Sequence, residues 1–98
     1  MTTVDELLTR ARRALDAVGC DVVLGEPGTH GLPASTPVTG DVLFTVAETT
    51  PEQAEGCIAD AAQAFSAWRA TPAPVRGALV NRLGELLTDH KDDLATLV

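Results

Sequence analysis

The sequence predicts a small, mainly helical fold that contains one β-hairpin. Amphipathic segments with helical spacing recur along the chain, and a turn containing proline and glycine precedes one short apolar, β-branched run. The 98 residues are enough for one small domain. Alanine makes up much of the apolar content, and the aromatic residues are one tryptophan and two phenylalanines. A core built from these side chains alone would bury little area.

The first helix is predicted from Val4 to Val18. Thr3 and Glu6 have the spacing of a capping box, and Gly19 is a typical residue for ending a helix. The apolar face is made by Leu8, Ala11, Leu15 and Val18, flanked by Leu7 and Ala14.

The next segment leads into a predicted hairpin. Cys20–Leu24 is apolar but too short to distinguish a strand from other structure, and the glycines and proline of residues 25–32 indicate a flexible loop. Pro37–Gly40 has the composition of a tight turn, and Val42–Val46 is a predicted strand after it. The partner strand is expected at residues 32–36, where Pro33 favours a sheet edge.

Three more helical segments follow. Thr50, Pro51 and Gln53 form an N-terminal cap for a helix whose apolar face includes Cys57 and Ile58 and is anchored by Phe65 and Trp68. Residues 71–74 break this helix, and a third helix is expected from Pro74 to Asp89. A fourth helical pattern starts at Lys91. It stops at Val98 without a cap, so we expect the chain to be the beginning of a longer protein.

The net charge of −7 limits the classes of partner. It argues against nucleic acid and against anionic membranes, since both are bound through clustered basic residues. The sequence has no apolar run long enough to span a membrane and no secretory signal, and two cysteines do not make a disulfide framework. We therefore expect a cytoplasmic protein. Three arginines near the N-terminus hint at a transit peptide, although neighbouring acidic residues weaken that interpretation.

The motifs after residue 34 form an ordered series along the chain. They are Ser35–Asp41 with the strand Val42–Val46, Thr50-Pro51-Glu52, Ala64-Phe65-Ser66-Ala67-Trp68-Arg69, Pro72–Val80, Leu83-Gly84-Glu85-Leu86-Leu87 and His90-Lys91-Asp92-Asp93-Leu94. This series resembles the N-terminal part of the aldehyde dehydrogenase superfamily. The last motifs resemble the antiquitin-like branch, which acts on α-aminoadipic semialdehyde and its cyclic form, piperideine-6-carboxylate.

The resemblance implies an α/β parent protein with a Rossmann-like coenzyme domain. Such enzymes oxidise an aldehyde to a carboxylate with NAD or NADP through a cysteine thiolate, and a glutamate activates the water that hydrolyses the thioester. These groups lie downstream of the matched region, so the resemblance implies no catalytic, cofactor-binding or metal-binding residue in residues 1–98. The fragment itself is expected to be inactive and to bind no cofactor. The parent is expected to take a small-molecule aldehyde, to act in lysine catabolism and to form homodimers or homotetramers.

Several residues nevertheless have side chains that could carry chemistry, and each has a simpler structural explanation. Cys57 is expected to be a buried, inert thiol and Cys20 a spacer or packing residue, while a metal site would need these two cysteines to converge with His30 and His90. The spacing of these four residues does not support that convergence.

The remaining candidates are a loop and three charged groups. Gly25–Gly31 lacks the lysine and hydroxyl of a phosphate-binding loop, which favours a flexible connection. Asp89, Asp92 and Asp93, with Lys91, lie around His90 and are expected to be the charged residues of a helix start. Arg10, Arg12 and Arg13 are expected on a solvated helix face. Trp68 is expected to be a packing residue, with Arg69 as a surface charge beside it.

Two interpretations of the whole chain follow. In the first, residues 1–31 are an N-terminal helix and loop, and residues 32–98 are the hairpin and helices of an aldehyde dehydrogenase domain truncated at Val98. Its apolar faces would then need the missing sheet to cover them. In the second, the chain is a non-catalytic helical interaction module or a gene remnant that ends at Val98 and binds an apolar partner surface.

Overall fold

A computed structural model describes residues 2–98 as four helices and a two-stranded antiparallel sheet. The chain divides into two compact units, one made of residues up to Glu48 together with His90–Val98 and the other of Thr49–Asp89. The division at residues 31 and 32 that the sequence suggested stays a prediction. The elements are α1 (Val4–Ala17), β1 (Leu32–Ser35), β2 (Val42–Val46), α2 (Pro51–Ala70), α3 (Ala73–Asp89) and α4 (Lys91–Leu97).

Both ends of α1 are capped by hydrogen bonds, as the sequence predicted. The Glu6 amide donates to the Thr3 hydroxyl at 3.2 Å, and the Thr3 amide donates to the Glu6 carboxylate at 2.9 Å. At the other end the Cys20 amide reaches the Leu15 carbonyl, and Gly19 takes a φ of 74°. This pairing is a Schellman motif, which needs the left-handed residue that glycine supplies. The helix ends at Ala17, one residue before the predicted end.

The first unit is held together by α1, which packs against α4 and β2. Ala11 and Ala14 are its buried residues, and Ala14 is only 3% exposed. The predicted apolar face of α1 is confirmed, although Ala14 lies at its centre and not at its flank. Leu94 and Leu97 of α4 are half-buried. The small alanine side chains allow α1 to approach its neighbours closely, but they also keep this core thin.

The hairpin is formed by β1 and β2, with Pro33 opposite Thr45 and Ala34 opposite Phe44. Thr45 exchanges its backbone hydrogen bonds with Gly25, on the side of β2 away from β1. Pro33 is therefore in a non-hydrogen-bonded pair, where its missing N–H removes no bond of the ladder. An irregularity in register follows Ala34.

The turn between the strands lies where the sequence placed it. The Gly40 amide donates to the Thr36 carbonyl at 2.8 Å, and the Thr36 amide donates to the Asp41 carbonyl at 2.9 Å. Gly40 has a φ of 81°, which a residue with a Cβ adopts only at a cost. The open question over Cys20–Leu24 is also settled, because this segment forms neither a helix nor a strand and Val23 is largely exposed.

The second unit consists of α2 and α3. Thr50 and Gln53 form the predicted capping box at the start of α2, with bonds of 2.9 and 3.1 Å. The α3 helix starts at Ala73, one residue before the predicted start. At the joint between the helices, the Arg76 Nε donates to the Thr71 carbonyl at 3.1 Å.

Neither helix of this unit has a buried residue. Phe65 is 58% exposed and Ile58 is 70% exposed, so the apolar faces predicted for α2 and α3 exist but are not covered within the unit. Phe65 and Trp68 consequently do not act as packing anchors in this structure. The capping box and the Arg76 contact are local interactions, and they are formed without a packed core.

Candidate functional site

The glycine-rich loop is the first segment to test as a binding site, because glycines can cradle a phosphate. The Gly25 amide is already used, since it donates to the Thr45 carbonyl at 2.8 Å. A Cβ placed on Gly25 would lie 2.6 Å from the Thr45 hydroxyl oxygen. A Cβ on Gly31 would lie 2.6 Å from the Val46 carbonyl oxygen. These two glycines therefore serve the close approach of the loop to β2, and they do not form an open cradle.

Two threonine hydroxyl groups hold the same loop in place. The hydroxyl oxygens of Thr29 and Thr45 are 2.7 Å apart, and Thr29 also donates to the Glu26 carbonyl at 2.7 Å. Thr45 is 4% exposed, so its hydroxyl needs such a partner. The loop is bonded to the hairpin through Gly25 and Thr29, and its flexibility stays a prediction. No sequence pattern indicated the pair, because its members are separated by a turn and a strand.

The loop geometry also bears on whether the described residues could hold a nicotinamide cofactor. The only glycine-rich segment among residues 2–98 is bonded to β2 through the Gly25 backbone and leads into a strand, not into a helix. The residues present do not fit the pyrophosphate of a dinucleotide, which needs free amides at a helix start.

The two thiols do not have the surroundings of a nucleophile. Both cysteines are exposed, and neither side chain has a hydrogen-bond partner in the described part of the chain. The expectation that Cys57 is buried is wrong, because the residue is exposed on α2, a helix that has no buried residue. The Cys20 backbone completes the Schellman motif, which agrees with a spacer role. An activated thiol needs a base or a cation beside it, and no hydrogen bond within residues 2–98 joins either thiol to such a group.

The histidines and acids do not converge either. The Nδ1 of His90 lies 3.4 Å from an Asp93 carboxylate oxygen, a long contact between partly exposed side chains at the start of α4. His30 is exposed in the loop. Within residues 2–98, no group of three or more His, Cys, Asp or Glu side chains is placed to hold a metal ion. Asp92 and Asp93 occupy the first turn of α4, where negative charge favours the helix.

The basic residues lie on helix surfaces. Arg10, Arg12 and Arg13 are exposed on α1. The guanidinium carbon of Arg69 lies 5.8 Å from the centre of the Phe65 ring, a contact within one helix. Arg76 is the exception, since its bond to the Thr71 carbonyl joins two helices. The sequence did not single out this residue for a contact between the helices.

A groove lies in the first unit between α1, the β-hairpin and α4, and it has a volume of about 260 Å³ and both apolar and polar lining residues. Leu7, Leu43 and Phe44 supply apolar walls, and Arg10 lies at its edge. The hydroxyl groups of the lining are not paired with a base that could activate them. The groove can accept an apolar group but offers no catalytic arrangement.

None of the helices in residues 2–98 is long and apolar enough to cross a membrane.

Comparison with known proteins identifies the family to which this chain is similar. Residues 25–98 match the model of the aldehyde dehydrogenase family, beginning upstream of the motifs that start at Ser35. Malonate-semialdehyde dehydrogenase 3 of Geobacillus kaustophilus is 40% identical over 62 residues, which cover 63% of this chain and 13% of that protein. Malonate-semialdehyde dehydrogenase 2 of Geobacillus thermodenitrificans is 39% identical over 91 residues, which cover 93% of this chain and 19% of that protein.

A third relative is also matched over most of this chain and over a small part of its own length. Malonate-semialdehyde dehydrogenase 1 of Geobacillus kaustophilus is 35% identical over 71 residues, which cover 72% of this chain and 14% of that protein. The chain thus spans less than a fifth of the length of the curated relatives it matches. The family match extends over the hairpin and all three of the helices that follow it. By this match, the chain belongs to the aldehyde dehydrogenase family.

Proposed function

We propose that this chain is the N-terminal part of an NAD- or NADP-dependent aldehyde dehydrogenase that oxidises an aldehyde carrying a carboxylate group. The observation that carries the proposal is the family match over residues 25–98. The absence of a catalytic arrangement among the described residues is compatible with it, because the resemblance locates the reacting cysteine and glutamate in a later part of such proteins.

The substrate follows from the names of the relatives rather than from a pocket. The relatives described above are named for malonate semialdehyde, and the comparisons lend no support to the antiquitin-like branch or to lysine catabolism. We therefore place malonate semialdehyde first and keep α-aminoadipic semialdehyde as the competing substrate. Both compounds pair an aldehyde with a carboxylate, so a site for either one needs a cationic or hydrogen-bonding group for that carboxylate.

The role we assign to residues 2–98 is structural. The exposed apolar side chains of α2 and α3, among them Ile58, Phe65 and Leu83, support this role because such faces are stable only when something covers them. In the proposed parent protein the cover is the sheet of the coenzyme domain. Residues 1–31 would then be an N-terminal extension and residues 32–98 the beginning of the dehydrogenase domain. The parent is proposed to be a cytoplasmic homodimer or homotetramer.

The first test concerns the gene. Sequencing the coding DNA beyond Val98 is expected to show an open reading frame several times longer than this chain, as in the relatives. The frame should encode a glycine-rich nucleotide loop and, later, a glutamate and a cysteine. A stop codon directly after Val98 would overturn the proposal and favour the interaction module or the gene remnant.

The second test concerns the reaction. The protein from the complete reading frame is incubated with NAD or NADP and with malonate semialdehyde, α-aminoadipic semialdehyde or propanal, and the reduced coenzyme is measured. Propanal is the matched control because it has the chain length of malonate semialdehyde without the carboxylate. We expect the highest kcat/KM with malonate semialdehyde. Equal rates with propanal would contradict carboxylate recognition, and no reduction with any aldehyde would contradict the dehydrogenase proposal.

A further inference from the structure

We draw no further inference here: the strongest candidate, the groove between α1, the β-hairpin and α4, carries nothing because nothing in the structure shows what covers it.

Discussion

Gly25 and Thr45 exchange both of their backbone hydrogen bonds, at 2.8 and 3.0 Å, so a single loop residue acts as a third strand beside β2. The contact depends on the absence of a side chain at Gly25, because the Thr45 hydroxyl occupies the space where a Cβ would lie. A Cβ on Gly31 would likewise lie too close to the Val46 carbonyl oxygen. Gly25 and Gly31 are therefore explained by packing, and that explanation can be tested.

The substitution Gly31→Ala is expected to loosen the loop from β2. It combines a φ of 146° with a Cβ only 2.6 Å from the Val46 carbonyl oxygen, and a backbone atom in a strand has little room to move. Overpacking of this kind costs about 1–3 kcal/mol. The protection of the Thr45 amide against hydrogen exchange should fall about tenfold or more, which corresponds to about 1.4 kcal/mol.

Gly28→Ala is the matched control for that experiment. Gly28 also has a positive φ, 85°, but a Cβ there would meet nothing within 4 Å. Its cost is limited to backbone strain of about 1–2 kcal/mol, in a residue that does not touch β2. A loss of Thr45 protection as large in Gly28→Ala as in Gly31→Ala would show that strain, and not the approach to β2, explains both glycines.

Arg76→Lys is expected to weaken the contact between the end of α2 and the start of α3. Lysine keeps the positive charge but lacks the Nε–H that Arg76 directs at the Thr71 carbonyl. A hydrogen bond from a charged donor contributes about 1.5–3 kcal/mol. Hydrogen exchange at the Arg76 amide, which donates to the Pro72 carbonyl, should become about tenfold faster.

Arg82→Lys is the control for the Arg76→Lys experiment. Arg82 pairs with Glu85 at 3.1 Å within α3, and both side chains are exposed. Such a pair contributes about 0–1 kcal/mol, and lysine can keep it. Exchange at the joint should therefore stay as it is in the unsubstituted protein. If Arg76→Lys behaved like Arg82→Lys, the contact with Thr71 would have no role in joining the helices.

Replacement of both thiols by alanine is expected to leave aldehyde oxidation unchanged. Cys20 and Cys57 are exposed, and no hydrogen bond in residues 2–98 joins either thiol to a base. In the protein from the complete reading frame, the kcat of the Cys20→Ala and Cys57→Ala double variant should stay within about twofold of the unsubstituted enzyme. A loss of about a thousandfold or more would place one of these thiols in the reaction, since removal of a nucleophile can cost about a millionfold.

The 98-residue chain on its own is expected to associate with itself. Its helices expose Leu79, Leu83 and Leu87 on one face of α3, and a face of this kind in water favours contact with another copy. Sedimentation velocity should show a mass that rises with concentration. A monomer that melts in one sharp cooperative transition would contradict both this prediction and the proposed need for a covering sheet.

Two lysine substitutions in α3 separate the apolar face from the rest of the helix. Leu83→Lys puts a charge on the face and should reduce association strongly. Asn81→Lys puts the same charge beside Glu85, with which Asn81 already bonds at 3.2 Å, and should leave association nearly unchanged. Lysine suits a helix about as well as leucine does, so neither change should remove α3 itself.

Local signals in the sequence were sufficient for the helix ends and for the hairpin. Thr3 and Thr50 cap the two helices predicted from them, and Gly19 and Gly40 take the positive φ values that their positions suggested. These features involve residues within five positions of one another. Short-range hydrogen bonding determines them, so they can be predicted without a model of the tertiary structure.

Contacts between distant residues could not be predicted in this way. Thr29 and Thr45 are separated by a turn and a strand, and nothing in either residue's neighbours indicates the other. The prediction that Cys57 is buried was wrong for a related reason. An apolar periodicity identifies which face of a helix will be covered, but the covering surface has to be present in the same structure. The family, by contrast, was recognisable from local motifs because these lie on consecutive elements.

The pairing of Pro33 with Thr45 has a consequence for how copies of the chain can meet. An open strand edge normally offers N–H groups to which further strands can add, and this is the usual route to cross-β fibrils. At this pair, Pro33 has no N–H to offer outward from β1, and the outward backbone groups of Thr45 on β2 are bonded to Gly25. Each edge of the sheet is therefore interrupted at this point as a template for another strand. Aggregates of the chain are therefore expected to keep their helical circular dichroism and to leave amyloid dyes unbound.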